Sequence, residues 1–243
     1  MKKNEWFKDW FNTSYYHTLY KNRDDKEAER FIKNLVNFTK LPLKSKILDL
    51  ACGKGRHSIT LNRLGMDVIG VDLSEESIAH ASQFSNSTLS FEVHDMRDPI
   101  LNHKFEAVFN LFTSFGYFDT QDENTKVIDS IYNAIHQNGI LVIDFMNCKK
   151  VIKNLVESET KHIDGIDFKI ERKFDNHHIF KSISFQDKGE DFNYTERVQA
   201  ITKNDFENLF KGKFEILQTF GDFDLNPFDE DLSERLIFIT KRV

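Results

Sequence analysis

Three features of this 243-residue chain predict an α/β fold whose mostly parallel sheet is covered by helices on both faces. Short apolar strands alternate with helical segments from Lys46 to Asp144. Glycine turns follow strand ends, and a run of even-step apolar alternation interrupts the pattern after Asn147. The length suits one large domain with a small insertion around a single sizeable core.

The elements follow in order. A helix starts near Asp25, with Ala28, Phe31, Ile32, Leu35 and Val36 on one face. The stretch from Thr39 to Ser45, with Pro42, ends it. Next come strand 46–50, helix 56–64, strand 67–71, helix 75–85, strands 89–94 and 105–111, helix 122–137 and strand 138–145. Gly65 and Gly139 stand where a helix must stop and a strand begin.

After Asn147, the apolar positions Ile166, Phe168, Ile170 and Phe174, then Ile179, Ile183 and Phe185, then Phe192, Tyr194 and Val198 fit half-exposed antiparallel strands. Turns at Asp164-Gly165, Asp175-Asn176 and Lys188-Gly189 separate them. A helix near 203–210 and strands 213–220 and 234–241 resume the α/β pattern. The insertion thus interrupts one domain without ending it.

Composition excludes several function classes. With 33 Lys+Arg against 39 Asp+Glu, the net charge of −6 gives no overall field that draws the chain onto phosphate backbones. The N-terminus leads into no signal-type apolar run, and the most apolar segment, Ile140 to Met146, is short and contains Asp144. A cytoplasmic protein with no membrane partner is expected. The 2 cysteines, Cys52 and Cys148, form no Cys-x-x-Cys pair, and the 9 histidines are scattered, so neither zinc, a disulfide framework nor another bound metal is expected. His177 and His178, read as extended, face opposite ways. The 24 phenylalanines serve a core or an aromatic-lined pocket.

The chemistry lies in the strand Lys46-Ile47-Leu48-Asp49-Leu50 and the turn Ala51-Cys52-Gly53-Lys54-Gly55 that follows it. Gly53 and Gly55 let backbone approach a ligand where a Cβ would intrude. A second strand, Asp67 to Val71, ends at Asp72, about 20 residues on, the spacing at which a carboxylate reaches a ribose. Two nucleoside cofactors compete for such a site. A dinucleotide wants a third Gly or Ala at the helix start, and Ser58 occupies that position.

The pattern Asp49-x-Ala51-x-Gly53-x-Gly55 resembles the first motif of class I S-adenosylmethionine-dependent methyltransferases, with Ala51 in place of the first of three glycines. Val71-Asp72-Leu73-Ser74 is similar to the second motif, whose acid takes both ribose hydroxyls through charge-assisted hydrogen bonds. His94-Asp95-Met96-Arg97 resembles the segment where an Asp meets the adenine amino group and the next residue's backbone reads the ring edge. The segment Phe109 to Tyr117, with Asn110 and Leu111, stands where the fourth motif ends beside the transferred methyl, and Asn138 to Asp144 resembles the fifth strand.

The resemblance implies a Rossmann-like sheet of seven strands, the last antiparallel, with helices on both faces and a small antiparallel insertion. It implies S-adenosyl-L-methionine as cofactor and S-adenosyl-L-homocysteine as product. It assigns cofactor contacts to Asp49, Ala51, Gly53, Gly55, Asp72, Leu73, Asp95, Met96, Asn110 and Leu111. The plainer alternative for Asp49 and Asp72 is helix N-capping. Asp95 is otherwise a turn carboxylate, and Cys52 is either a small loop residue or, with nothing to activate it, a nucleophile.

The acceptor side is sought in three places. The segment from Trp6 to Asp24 is rich in aromatic residues and looks like the N-terminal cap of small-molecule methyltransferases. Tyr16, His17 and Tyr20 are the catalytic candidates there, and Arg23 is a candidate partner for a carboxylate. An amphipathic helix stapled by Trp6, Trp10 and Phe11 is the structural alternative. Phe115 and Tyr117 are substrate candidates after the fourth motif, and Arg197 is either a substrate clamp or a surface ion-pair partner. The segment Phe220-Gly221-Asp222-Phe223-Asp224, with Arg235, resembles one seen in this subgroup and carries no assigned chemistry.

These readings divide the chain into a cap, 1–40, a core, 41–147 with 201–243, and inserted strands, 148–200. The expected activity is methyl transfer to nitrogen or oxygen of a small molecule, by a monomer or homodimer. An RNA-modifying methyltransferase is the second reading, disfavoured because the fourth motif is Asn110-Leu111-Phe112-Thr113 without an Asn/Asp-Pro-Pro turn. A catalytically inactive cofactor-binding subunit is the third.

Overall fold

A computed structural model describes residues 6–21, 25–100 and 103–243, apart from the side chains of Lys8 and Asp25. Its main sheet has seven strands: β1 (Lys46–Leu50), β2 (Asp67–Asp72), β3 (Leu89–Val93), β4 (Phe105–Asn110), β5 (Ile135–Met146), β10 (Phe214–Phe220) and β11 (Arg235–Arg242). They lie in the order β10-β11-β5-β4-β1-β2-β3. All pairs from β3 across to β5 are parallel, and β11 runs antiparallel to both β5 and β10. The alternation of strand and helix produces this order, because each crossover helix must return over one face.

Successive strand residues serve opposite cores. Ile47, Val68, Ala107, Phe109 and Val142 face α3 (Asp25–Thr39), α4 (Arg56–Arg63) and α5 (Glu75–Ala81). Leu48, Leu50, Val108, Leu141 and Ile143 face α6 (Gln121–Ala134) and α8 (Lys203–Phe210). Burying each such side chain contributes about 1.5–3 kcal/mol. Two capping boxes, Thr120 with Glu123 and Thr202 with Asp205, start α6 and α8 by satisfying backbone N–H groups that the helix itself leaves open.

The inserted unit is a four-stranded antiparallel sheet of β6 (Ser158–Ile163), β7 (Ile166–Asp175), β8 (His178–Asp187) and β9 (Glu190–Gln199). Its turns place two residues each at positive φ: Asp164-Gly165 (51°, 80°), Asn176-His177 (46°, 68°) and Lys188-Gly189 (51°, 84°). These are the mirror-image turns that match strand twist. On one face, Phe168, Ile170, Ile183 and Phe185 pack with Trp10 and Leu19 of two short helices, α1 (Trp6–Phe11) and α2 (Ser14–Leu19).

Several boundaries differ from the sequence reading. The helix expected to reach 137 ends at Ala134, and Ile135 turns into β5 to pair with Phe105. Pairing and burial of Ile135 override the helical look of the polar residues after it, and a ladder irregularity with Asn138 at φ 65° absorbs the extra length. The helix expected to run 75–85 becomes a tight 3₁₀ turn from Ser82 to Phe84. Strand β6 was hidden because Ser-Glu-Thr-Lys-His-Ile has one apolar residue, and α7 (Cys148–Lys153) because six residues are too few to show a helical period. The second insertion turn lies one residue later than read, leaving Asp175 paired with His178.

Candidate active site

At the C-terminal edge of β1 the turn places Ala51, Gly53 and Gly55 at φ 64°, 55° and 82°. Three alternate positions thus need the left-handed region, and Ala51 tolerates it at a cost of about 1–2 kcal/mol where glycine has none. A Cβ on Gly53 would meet nothing within 4 Å, so this backbone is open to a ligand. Cys52 N donates to Val71 O at 2.9 Å, which pins the loop to β2.

Asp72 joins the two turns. One carboxylate oxygen accepts from Gly53 N at 2.8 Å and the other from Ser74 N at 2.8 Å. Its carboxyl titrates above the ordinary range because burial outweighs those bonds. It does not cap α5; Ser74 does, receiving Ser77 N at 3.1 Å. Nor does Asp49 cap α4, whose N-cap is Gly55. Asp49 is buried at the root of the turn and accepts from Ser58 Oγ at 2.6 Å.

Burial pushes the Asp49 carboxyl up from 3.8 to about 6, against the lowering effect of Ser58. Between those values the folded state holds a proton that the unfolded chain has released, so this group's contribution to stability falls as pH rises through 6. At about 1.4 kcal/mol per pKa unit the contribution is about 3 kcal/mol. Urea unfolding is expected to show that Asp49→Asn gains stability over the parent between pH 5 and pH 8. Parallel profiles for the two proteins would remove Asp49 as the source.

A cleft of about 640 Å³ opens along this edge, in the range of about 300–1,000 Å³ that small ligands occupy. Its wall includes Ala51, Gly53, Asp72, Leu73, Asp95, Met96 and Leu111. Tyr16, His17, Tyr20 and Tyr117 line it as well. Behind this wall lie four further candidates. Gly55 packs against Phe91, Asn110 donates to Leu50 O at 2.9 Å, Phe115 is buried beside Phe206, and Asp49 stands as described. Arg197 sits apart, ion-paired with Asp119. Arg23 falls outside the described residues.

Asp95 accepts from Arg97 Nε at 3.0 Å, and Arg97 also reaches Glu123 at 3.1 Å and covers the Phe118 ring at 4.7 Å. Burial holds the Cys52 thiol well above its ordinary range, which favours the small loop residue over the nucleophile. Burial likewise pushes Cys148 up to about 12.

The N-terminal helices are tied to the start of α5 and to the inserted sheet. Ser74 Oγ donates to Asn12 Oδ1 at 2.6 Å. On the inserted sheet, Glu196 accepts from Trp10 Nε1 at 2.8 Å and from Tyr20 Oη at 2.7 Å, and Lys181 contacts both Tyr20 Oη and Glu196.

Sequence reasoning missed His57 and passed over Phe112, both in the cleft wall with their rings stacked 4.8 Å apart. The position of His57 two residues after Gly55 was the available signal for the first. The position of Phe112 just past the fourth-motif strand was the signal for the second.

Comparison with known proteins agrees with this geometry. A family model described as "Methyltransferase domain" matches residues 43–212. "Putative methyltransferase YqeM" of Bacillus subtilis (strain 168) is 30% identical over 210 residues, which cover 82% of this chain and 84% of that one. A glycine/sarcosine N-methyltransferase of Aphanothece halophytica is 27% identical over 230 residues, 90% of this chain and 83% of the relative. Among solved structures, CalS10 from Micromonospora echinaspora, an amino pentose methyltransferase with S-adenosylmethionine bound, superposes with TM-score 0.72 at 18% identity, covering 95% of this chain and 98% of its own.

Proposed function

Because the chain belongs to the class I S-adenosylmethionine-dependent methyltransferases, we propose that it transfers a methyl group to the nitrogen of a small molecule carrying an amino group. One observation carries the cofactor half of this reading. The open backbone of Gly53 and the carboxylate of Asp72 meet at a single cleft edge, joined by a hydrogen bond of 2.8 Å. Support for nitrogen comes from the named activity of the glycine/sarcosine N-methyltransferase relative.

S-adenosylmethionine supplies an electrophilic methyl on a sulfonium. The residues of this chain bind and align. Asp72 would take the two ribose hydroxyls through its remaining lone pairs, Leu73 and Met96 would border the adenine, and the 51–55 turn would pass under the amino-acid end. Methyl transfer is an in-line displacement, so holding an acceptor in line supplies most of the assistance. The cap, 1–40, and the inserted strands, 148–200, would close over that acceptor on a core of 41–147 and 201–243. Tyr16, His17, Tyr20 and Tyr117, all in the cleft wall, would form the acceptor side and orient a neutral amine whose lone pair attacks. The amine sheds its proton only after the bond to carbon forms.

Among the described residues no helix is long and apolar enough to cross a membrane. A cytoplasmic site of action is part of the proposal, and it suits two free, buried thiols.

The test has two arms. Calorimetry is expected to show binding of S-adenosylmethionine and S-adenosylhomocysteine but not NAD. Release of S-adenosylhomocysteine is then measured with glycine, sarcosine, amino sugars, phenols, carboxylic acids and tRNA, and turnover is expected with amines. Binding of NAD alone would overturn the cofactor, and turnover of tRNA alone would overturn the acceptor class.

A further inference from the structure

After β4 the chain makes a turn, 111–114, in which two consecutive non-glycine residues, Phe112 (φ 57°) and Thr113 (φ 61°), occupy the left-handed region. Each costs about 1–2 kcal/mol, so such a turn persists only where its surroundings over-determine it. Here they do. Asp144 takes Phe112 N on its carboxylate at 2.7 Å and Thr113 N on its carbonyl at 3.0 Å. Arg235 donates from Nε to the other carboxylate oxygen of Asp144 at 2.8 Å and from Nη2 to Thr113 Oγ1 at 3.0 Å. Ser114 Oγ closes the turn on Leu111 O at 2.7 Å.

The Asp144 side chain is fully buried and that of Arg235 is 19% exposed. Burial raises the Asp144 carboxyl above its ordinary range while Arg235 acts to lower it. A pair withdrawn from water to this degree contributes little to stability, because desolvation offsets the attraction and apolar residues of equal volume serve the core as well. What apolar residues cannot do is hold the backbone of Phe112 and Thr113.

The same guanidinium lies 5.4 Å from the Phe223 ring. Phe223 in turn stacks on Phe112 at 5.0 Å, and His57 stacks on Phe112 at 4.8 Å. The loop behind Phe223 is built for rigidity. Asp222 accepts from Asp224 N at 2.9 Å and Asn226 N at 3.1 Å, and Asn34 Nδ2 donates to Phe223 O at 2.9 Å. Leu111, Phe112 and Ser114 all line the cleft, whereas Asp144 and Arg235 stand behind it.

We propose that Asp144 and Arg235 are positioning residues for methyl transfer, holding turn 111–114 so that Leu111, Phe112 and Ser114 form the wall facing the sulfonium. The inference rests on the methyltransferase reading above. The pair touches neither ligand; it acts through the turn. It also neutralises the Arg235 guanidinium behind this wall, while the Arg56 guanidinium lies over the Phe112 ring at 4.8 Å on the cleft side.

S-adenosylmethionine and S-adenosylhomocysteine differ by one methyl and one positive charge, so their affinity ratio reads this wall without any acceptor. Calorimetry with both ligands on full-length Arg235→Lys and Asp144→Asn is expected to show S-adenosylmethionine affinity about tenfold lower, because a turn released from one charge-assisted hydrogen bond no longer holds its wall against the sulfonium. S-adenosylhomocysteine affinity is expected within about twofold of the parent. Hydrogen exchange at the amides of Phe112 and Thr113 is expected to quicken in both. Should Asp144→Asn not fold, Thr113→Val removes only the hydroxyl that meets Arg235 and is expected to lower the same ratio about threefold.

An equal loss for both ligands would overturn the proposal in favour of a purely architectural pair, as would unchanged affinities. Failure of the methyltransferase reading is separate: the parent protein itself would then bind neither ligand.

Discussion

Asp72→Ala is expected to weaken S-adenosylmethionine and S-adenosylhomocysteine about 10²–10³-fold. A hydrogen bond to a charged group contributes about 1.5–3 kcal/mol, and the ribose offers this carboxylate two hydroxyls. Part of the loss comes from the protein itself. Asp72 also receives Gly53 N and Ser74 N at 2.8 Å each, so its removal frees the glycine turn from the start of α5. Asp72→Asn separates the two effects. Its oxygen still accepts one of those backbone bonds, and the affinity loss is expected to shrink to about tenfold. Calorimetry on both variants, with melting curves as a check on folding, makes the measurement. Unchanged affinity in a folded Asp72→Ala protein would take this residue out of the site.

The second large effect concerns stability. One ring, Phe91, fills the space that two glycines leave empty. A Cβ on Gly55 would come within 2.8 Å of it, and a Cβ on Gly70 within 2.6 Å. Overpacking of this kind costs about 1–3 kcal/mol. Gly55, at φ 82°, adds the strain of a left-handed side-chain residue, so Gly55→Val is expected to lose about 3–5 kcal/mol. For a chain of this size that lowers Tm by roughly 10 °C.

The two sites should part company when Phe91→Ala is added. In Gly70→Val the smaller residue removes the nearer obstacle and leaves Ser58 Oγ at 2.8 Å, so the double variant is expected to be more stable than the sum of the single losses without full recovery. In Gly55→Val the backbone strain remains, so recovery is expected to be smaller. Strict additivity at both positions would show that Phe91 is not the shared obstacle.

What the sequence disclosed and what it hid divide along a physical line. Asp49, Gly53, Gly55 and Asp72 were legible because strand, turn and helix are consecutive, and their backbone demands appear in the residue types. The mostly parallel sheet was legible from the same alternation. Arg235 was noticed in the sequence, but its partner is 91 positions away and nothing local marks the pair. Phe223 is similar, since only the folded chain shows that it stacks on Phe112. Ile135 illustrates the opposite failure: local periodicity favours helix there, and the strand partner Phe105 decides otherwise. The insertion was readable where alternation was apolar, in β7 to β9, and unreadable in polar β6.

The attachment of the cap to β9 also sets an order on the ribosome. Trp10 and Tyr20 hydrogen-bond to Glu196, and Tyr15 Oη donates to Asp187 at 2.8 Å. Trp10 and its partner are 186 positions apart, so α1 and α2 meet Ser74, Tyr117 and Phe118 first and gain their β9 anchors only when most of the chain has emerged. Vectorial synthesis therefore leaves the aromatic segment waiting while β1 to β5 assemble behind it. The contacts that join the N-terminal helices to β9 are therefore among the last of the fold to form.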